Sequence, residues 1–306
     1  MASFVSVREV MVVGAYYVDL VFSGVPVPRS GGEVFAGGFE VVPGGGFSPA
    51  MALRRLGHDV VWAASFGTDL FSREVSGAAE RERLDPVGFV RLDGPLRSVT
   101  AVLSGPEDRT MVSFQDEVVD LALPELVAEH RPRVVVLPLL RYGQRAVEEL
   151  RAVRESGVAV FLDCQDVPVT LATPTVREVL AAVEVFSPNE EEALRLTGAH
   201  TAERAARELA RFTPTVVVKR GPAGAVAVRG DQVRAVSAPC VPVVDTTGAG
   251  DCFGAGFVHG MLTGADLRGC LAAGVACGSA SVTGVGSSAA PTSAELAVWQ
   301  ERLPPG

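Results

Sequence analysis

A chain of 306 residues, 48% of them hydrophobic, can bury a core large enough for one α/β domain with an appendage. Its formal net charge of −9 and pI near 5.1 argue against nucleic-acid binding, which needs a basic face. No apolar run reaches the roughly 18 residues of a membrane span, and the N-terminus lacks a signal-peptide pattern, so a soluble cytoplasmic protein is expected.

Five cysteines (Cys164, Cys240, Cys252, Cys270, Cys277) include no Cys-x-x-Cys pair and read as buried small residues of a reducing compartment. The scattered histidines suggest no zinc site. Of 27 basic residues only Lys219 is lysine, and Arg220 follows it, which excludes a Walker A loop.

In chain order, Val10 to Val13 read as a first strand, with Asp19 shortly beyond its end. That is where an open α/β sheet places its ligands, although an acid there can also simply cap a turn. Residues 16–42 are cut by Gly24, Gly31, Gly32, Gly37 and Gly38, which suits a small β appendage and no helix. A triple glycine, Gly44 to Gly46, then precedes an amphipathic helix closed by Gly57. Ser48 suits its N-cap and Pro49 its first turn, while the bare backbone of Gly44 and Gly45 would let a polyol lie close. Val60 to Phe66 is a strand and Leu70 to Arg83 a helix. Segments Gly88 to Leu92, Ser98 to Ser104 and Thr110 to Phe114 alternate as strands that complete the appendage.

From residue 121 helices alternate with apolar β-branched strands, at Val134 to Pro138, Val158 to Asp163, Val183 to Phe186 and Thr215 to Lys219. This predicts a doubly wound, mostly parallel sheet with helices on both faces. Asn189 and Glu192, three apart, are placed on one helix face at the sheet's C-terminal edge. Lys219-Arg220-Gly221-Pro222-Ala223-Gly224 ends a strand, so Lys219 either neutralises an anion or faces water.

The most informative stretch is Asp245-Thr246-Thr247-Gly248-Ala249-Gly250-Asp251, following an apolar segment, Val241 to Val244, that reads as strand. Phe253, Phe257 and Met261 then recur every four residues, one face of a helix. Free N–H groups at a helix start attract anions, and Gly248 and Gly250 leave room for a phosphate. A carboxylate there would repel that phosphate unless it takes a proton from an attacking hydroxyl. The combination suggests phosphoryl transfer to an alcohol, although a glycine turn before a helix with an ordinary acid in its first turn has the same form.

This string, with Gly44 through Gly57 to Gly67, Asn189-x-x-Glu192 and Gly221-x-x-Gly224 in order, resembles the PfkB, or ribokinase-like, carbohydrate kinase family over nearly the whole chain. The resemblance implies a ribokinase-like fold spanning 1–306, with a β-sheet lid from about 16–42 and 88–116. It implies Asp251 as general base, with the backbone of Gly248, Ala249 and Gly250 as anion hole. Asp19, Gly44, Gly45 and Ser48 would grip the acceptor, and Asn189, Lys219, Gly221, Gly224, Gly248 and Gly250 would bind ATP. Magnesium is implied at Asn189 and Glu192, largely through waters. A monovalent cation, potassium, is implied at Asp245 and Thr247, with carbonyls of residues 281–287 opposite. Ser48 stands where the family has a sugar-binding asparagine, which leaves the acceptor open between a sugar and a nucleoside. For a nucleoside, Tyr16, Tyr17, Phe35, Phe39 and Phe114 would supply the surface that covers a base. A catalytically silent binding protein is the reading from another class. An exposed lid edge would suit a homodimer.

Overall fold

The computed structural model describes residues 8–25, 29–104, 109–117, 120–165 and 167–305. The first third forms β1 (Val10–Val13), β2 (Tyr16–Ser23), β3 (Gly38–Gly45), α1 (Phe47–Arg55), β4 (Val60–Phe66), α2 (Leu70–Arg81) and β5 (Phe89–Arg91). The middle forms β6 (Ser98–Ser104), β7 (Arg109–Gln115), α3 (Leu123–His130), β8 (Val134–Leu137), α4 (Gln144–Glu155), β9 (Ala159–Asp163), α5 (Val176–Ala181) and β10 (Val185–Ser187). The remainder forms α6 (Glu190–Thr197), α7 (Ala202–Leu209), β11 (Thr215–Lys219), β12 (Ala225–Arg229), β13 (Gln232–Val236), α8 (Ala249–Leu262), α9 (Leu267–Ser281) and α10 (Ser293–Glu301).

Among the described residues, nine strands make one sheet in the order β13-β12-β11-β10-β9-β8-β1-β4-β5. The strands from β11 to β5 run parallel, and β12 and β13 extend that edge as an antiparallel hairpin. β1 shows why its sequence is uniformly apolar: Val10 and Val12 enter the core beneath α1, α2, α8 and α9, while Met11 and Val13 enter the core beneath α3 to α7. The chain leaves β1 toward β4 on one side and later returns to β8 on the other. Such a reversal opens a crevice at the strands' carboxyl ends. α8 and α9 close one layer by direct backbone approach, since a Cβ on Gly256 would lie 2.4 Å from the Ala273 carbonyl oxygen.

A separate four-stranded sheet, β3-β2-β6-β7, is built from the two expected segments. Residues 26–28 and 105–108 of those segments lie outside the described residues. The strand expected at Gly88 to Leu92 does not join this sheet. β5 instead pairs parallel with β4, where the Phe89 ring packs against Phe66 and Trp62 at 4.5 and 5.5 Å.

Three further expectations are corrected. Val241 to Val244 is not a strand: Pro239 and Pro242 cannot donate to a ladder, and the Val244 N–H bonds the Val282 carbonyl instead. Ser48 is not the N-cap of α1; Gly46 is, and Ser48 lies buried inside the first turn. Cys240 is exposed, whereas the other four cysteines are buried. No helix among the described residues is long and apolar enough to cross a membrane.

Candidate active site

The parallel strands bring Pro138, Asp163, Asn189 and Lys219, at or just past their carboxyl ends, to one cleft of about 710 Å³. Gly221 and Gly224 bound it on one side. The segment 238–243 and the C-terminal part of α9, through Val275, Gly278 and Ser279, give it apolar walls. Its floor is the start of α8, Gly248 to Asp251.

That floor is built from bare backbone. Gly248 caps α8 with φ +74°, a left-handed conformation that suits glycine, and no side chain caps the helix. The Ala249 N–H reaches the Thr246 carbonyl at 3.3 Å, while those of Gly250 and Asp251 have no backbone partner among the described residues. Two N–H donors at the positive end of a 14-residue helix make a fitting cradle for phosphate.

Asp251 lies in the first turn of α8, at the cleft. Burial, with the charges of Asp163 and Asp19 nearby, pushes its carboxyl up to about 7 against the opposing pull of Lys219. Lys219 does not face water as the open alternative had it. Its ammonium donates to both Asp163 oxygens at 2.6 and 2.8 Å, with both side chains nearly enclosed. Burial works to strip its proton, but the Asp163 charge and hydrogen bonds outweigh that and raise its pKa.

Asn189 and Glu192 do share the cleft, though not as two residues on one helix face. Asn189 is the N-cap of α6: its Oδ1 accepts the Glu192 N–H at 2.8 Å, and Glu192 Oε2 accepts the Asn189 N–H at 2.8 Å. Burial pushes the Glu192 carboxyl up to about 7 against the Asn189 hydrogen bond. Among the described residues no cluster of three or more His, Cys, Asp or Glu side chains could hold a metal. Asn189 and Glu192 are oxygen donors of the kind that would fit magnesium, an ion that keeps several of its waters.

Asp245 and Thr247 sit beside this floor, outside the cleft lining. Asp245 Oδ1 accepts from the Thr247 N–H at 2.9 Å and from its hydroxyl at 2.8 Å, and Oδ2 accepts the Gly286 N–H at 2.8 Å. Asp245 thus ties the 283–288 loop to the glycine turn. Asp19, Gly44, Gly45 and Ser48 likewise lie outside the cleft lining; Asp19 stands on β2 with its carboxylate over Gly44, 3.5 Å from where a Cβ there would be. Its charge reaches Asp251. Gly45 follows Gly44 at the end of β3, and Ser48, 2% exposed, has little surface to offer a ligand. Asp163 was missed by the sequence reading, although the cue that flagged Asp19, an acid at a strand's carboxyl end, applies equally to it.

Comparison with known proteins agrees with this geometry. The family model described as pfkB family carbohydrate kinase matches residues 7–294. The chain is 29% identical to a ribokinase of Bacillus subtilis, over 86% of this chain and 89% of that protein. It is 32% identical to a fructokinase of Klebsiella pneumoniae, over 72% of this chain and 76% of that one. The structure of Arabidopsis thaliana ribokinase complexed with ribose and ATP shares the fold, with a TM-score of 0.82 at 22% identity over 97% and 99% of the two chains. The chain belongs to the pfkB family of carbohydrate kinases, and it is an ATP-dependent phosphotransferase with an alcohol group as acceptor.

Proposed function

We propose that the protein phosphorylates a hydroxymethyl group of a small sugar or sugar derivative, with Asp251 as general base. The observation that carries this is Asp251 at an uncapped helix start, between an anion cradle and the Asp19 carboxylate. Asp251 takes the hydroxyl proton as the acceptor oxygen attacks. The Gly250 and Asp251 N–H groups and Lys219 stabilise charge on the transferring phosphoryl group. ATP supplies that group, and Asn189, Lys219, Gly221, Gly224, Gly248 and Gly250 would hold it. Magnesium, held largely through waters by Asn189 and Glu192, would neutralise phosphate charge. Asp245 and Thr247, with carbonyls of residues 281–287, would hold a potassium ion. The chain acts in the cytoplasm as one kinase unit, residues 1–306, with the small sheet as its lid.

Strand alternation favours a sugar over a nucleoside. Tyr17 and Asp19 share one face of β2, and Phe22 lies on the other. Phe39 pairs with Phe22, and Phe114 with Val99 beside Val18, which puts both rings on the face away from Asp19. Tyr16 is buried, its hydroxyl bonded to Ser72 Oγ at 2.7 Å and to the Leu96 carbonyl. Phe35 lies outside the strands, 85% exposed. Of the four strand aromatics only Tyr17 shares the face of Asp19, which leaves the lid strands little ring surface to clamp a base.

A panel of pentoses, hexoses and nucleosides read by ADP release tests this. Turnover on a sugar that stops on chelating magnesium and rises with potassium is expected. Turnover on nucleosides alone would favour the other acceptor class. ATP binding with no turnover on any acceptor would favour the silent binding protein.

The activity should depend on pH with one sign. A base works only when deprotonated, so kcat/KM should fall about tenfold per unit below pH 7 and level off above it. Because Glu192 titrates in the same range, the acid limb must survive Glu192→Gln. A profile flat through neutrality would remove Asp251 as the base.

We also propose a homodimer, through the lid's face rather than its edge. Phe39, Val41, Val112 and Phe114, on the side opposite Asp19, are 55%, 43%, 69% and 51% exposed. Sedimentation should show a dimer that Val112→Asp converts to monomer, and a monomeric wild type would refute it.

A further inference from the structure

The cleft floor poses a charge problem that the reaction alone does not explain. Three carboxyl groups, Asp163, Glu192 and Asp251, line a cleft that must accept polyphosphate. One cation, Lys219, stands among them and is the sole lysine of the chain. Left to choose, its flexible stem would let the ammonium pair with Asp251 and quench the base. Instead Asp163, the last residue of β9, grips it with both oxygens at 2.6 and 2.8 Å. Asp163 is fixed in turn, since its Oδ1 also accepts the Cys164 N–H at 2.7 Å. Held this way, Nζ lies 3.2 Å from where a Cβ on Gly250 would be, against the first turn of α8.

We infer that Asp163 is a positioning residue, holding the Lys219 ammonium against the phosphoryl cradle and away from the Asp251 carboxylate. An ammonium is a compact point charge on a long stem, so its usefulness at a transferring phosphoryl group depends on an anchor. The anchor must be acidic, because a neutral one would let the lysine swing to the carboxylates that remain. With its two oxygens taken by the Lys219 ammonium and the Cys164 N–H, Asp163 acts through Lys219.

This inference rests on the kinase reading, and a double-mutant cycle separates the two. Asp163→Asn, Lys219→Met and the double variant are compared for kcat, for the KM of ATP and for melting temperature. Asp163→Asn should lower kcat at least about tenfold, and the double variant should be no slower than Lys219→Met alone, because the anchor has nothing left to hold. If the buried lysine cannot fold unpaired, Asp163→Glu serves: it keeps the ion pair but shifts the ammonium, and should lower kcat with the melting temperature retained. Additive losses, or a lowered melting temperature with kcat unchanged in Asp163→Asn or Asp163→Glu, would show the pair to be structural ballast and overturn the inference. A wild type inert on every sugar would defeat the kinase reading instead.

Discussion

Replacing Asp251 with asparagine is expected to lower kcat by about a hundred- to ten-thousand-fold, the range for losing a general base. That corresponds to about 3–5 kcal/mol of transition-state stabilisation. The amide fills the same volume at the start of α8 but accepts no proton at any working pH. Binding should change little: ATP loses no donor, and a neutral group beside the cradle repels phosphate less than a carboxylate does. Folding should not suffer either. Burial and the neighbouring acids already push the native carboxyl up to about 7, so the site tolerates a neutral group. Lys219 keeps both of its bonds to Asp163. Single-turnover rates and nucleotide titration on the same preparation check this. A variant that binds ATP and turns over near the wild-type rate would leave Asp251 without a catalytic part.

The order of elements was legible because the parallel strands are buried on both faces and read as unbroken Val-rich runs between helices. α8 was legible for a different reason: Phe253 and Phe257 recur at helical spacing, and both are buried beneath it. Part of what failed depended on partners that lie far along the chain. β5 has three residues, too few for any period, and its place on the main sheet is set by Phe66 and Trp62 more than twenty residues earlier. The β12–β13 hairpin went unassigned although Gly230-Asp231 between two Val-containing segments is a hairpin signal. At the site, the motif residues were found but their bonds were not. Asn189 and Glu192 face each other through a reciprocal cap, and Lys219 faces Asp163 across 56 positions of sequence. The alternation of β2 could be read directly, yet which of its faces meets Asp251 only the assembled sheets decide.

Gly248→Ala should cost about as much turnover as deleting one donor of an oxyanion hole, on the order of a hundred- to a thousand-fold in kcat. Two independent effects combine. At φ +74° an L-residue carries a penalty of about 1–2 kcal/mol. The new Cβ would also lie 2.2 Å from Ser287 Oγ. The Ser287 hydroxyl can turn aside about its own Cβ, but the Ser287 Cβ and backbone N, 3.4 and 3.6 Å from the new methyl, stay in place because the loop is held on both sides. The Gly286 N–H donates to Asp245 at 2.8 Å, and Arg55 Nη1 donates to the Ser288 and Ala290 carbonyls at 2.8 and 2.9 Å while its Nε and Nη2 bind Glu82. The left-handed backbone penalty and this crowding both act on the glycine turn, and its shift carries the N–H groups of Gly250 and Asp251 out of register with the transferring phosphoryl group. Adding Ser287→Gly removes the collision but not the backbone penalty, so the double variant should recover at least about tenfold of the loss. Steady-state kinetics on the two variants, with the KM of ATP followed alongside, decide the matter. If Gly248→Ala keeps wild-type kcat, the turn is not the cradle. If Ser287→Gly recovers nothing, the damage comes from the backbone conformation alone and not from the loop that Asp245 and Arg55 hold in place.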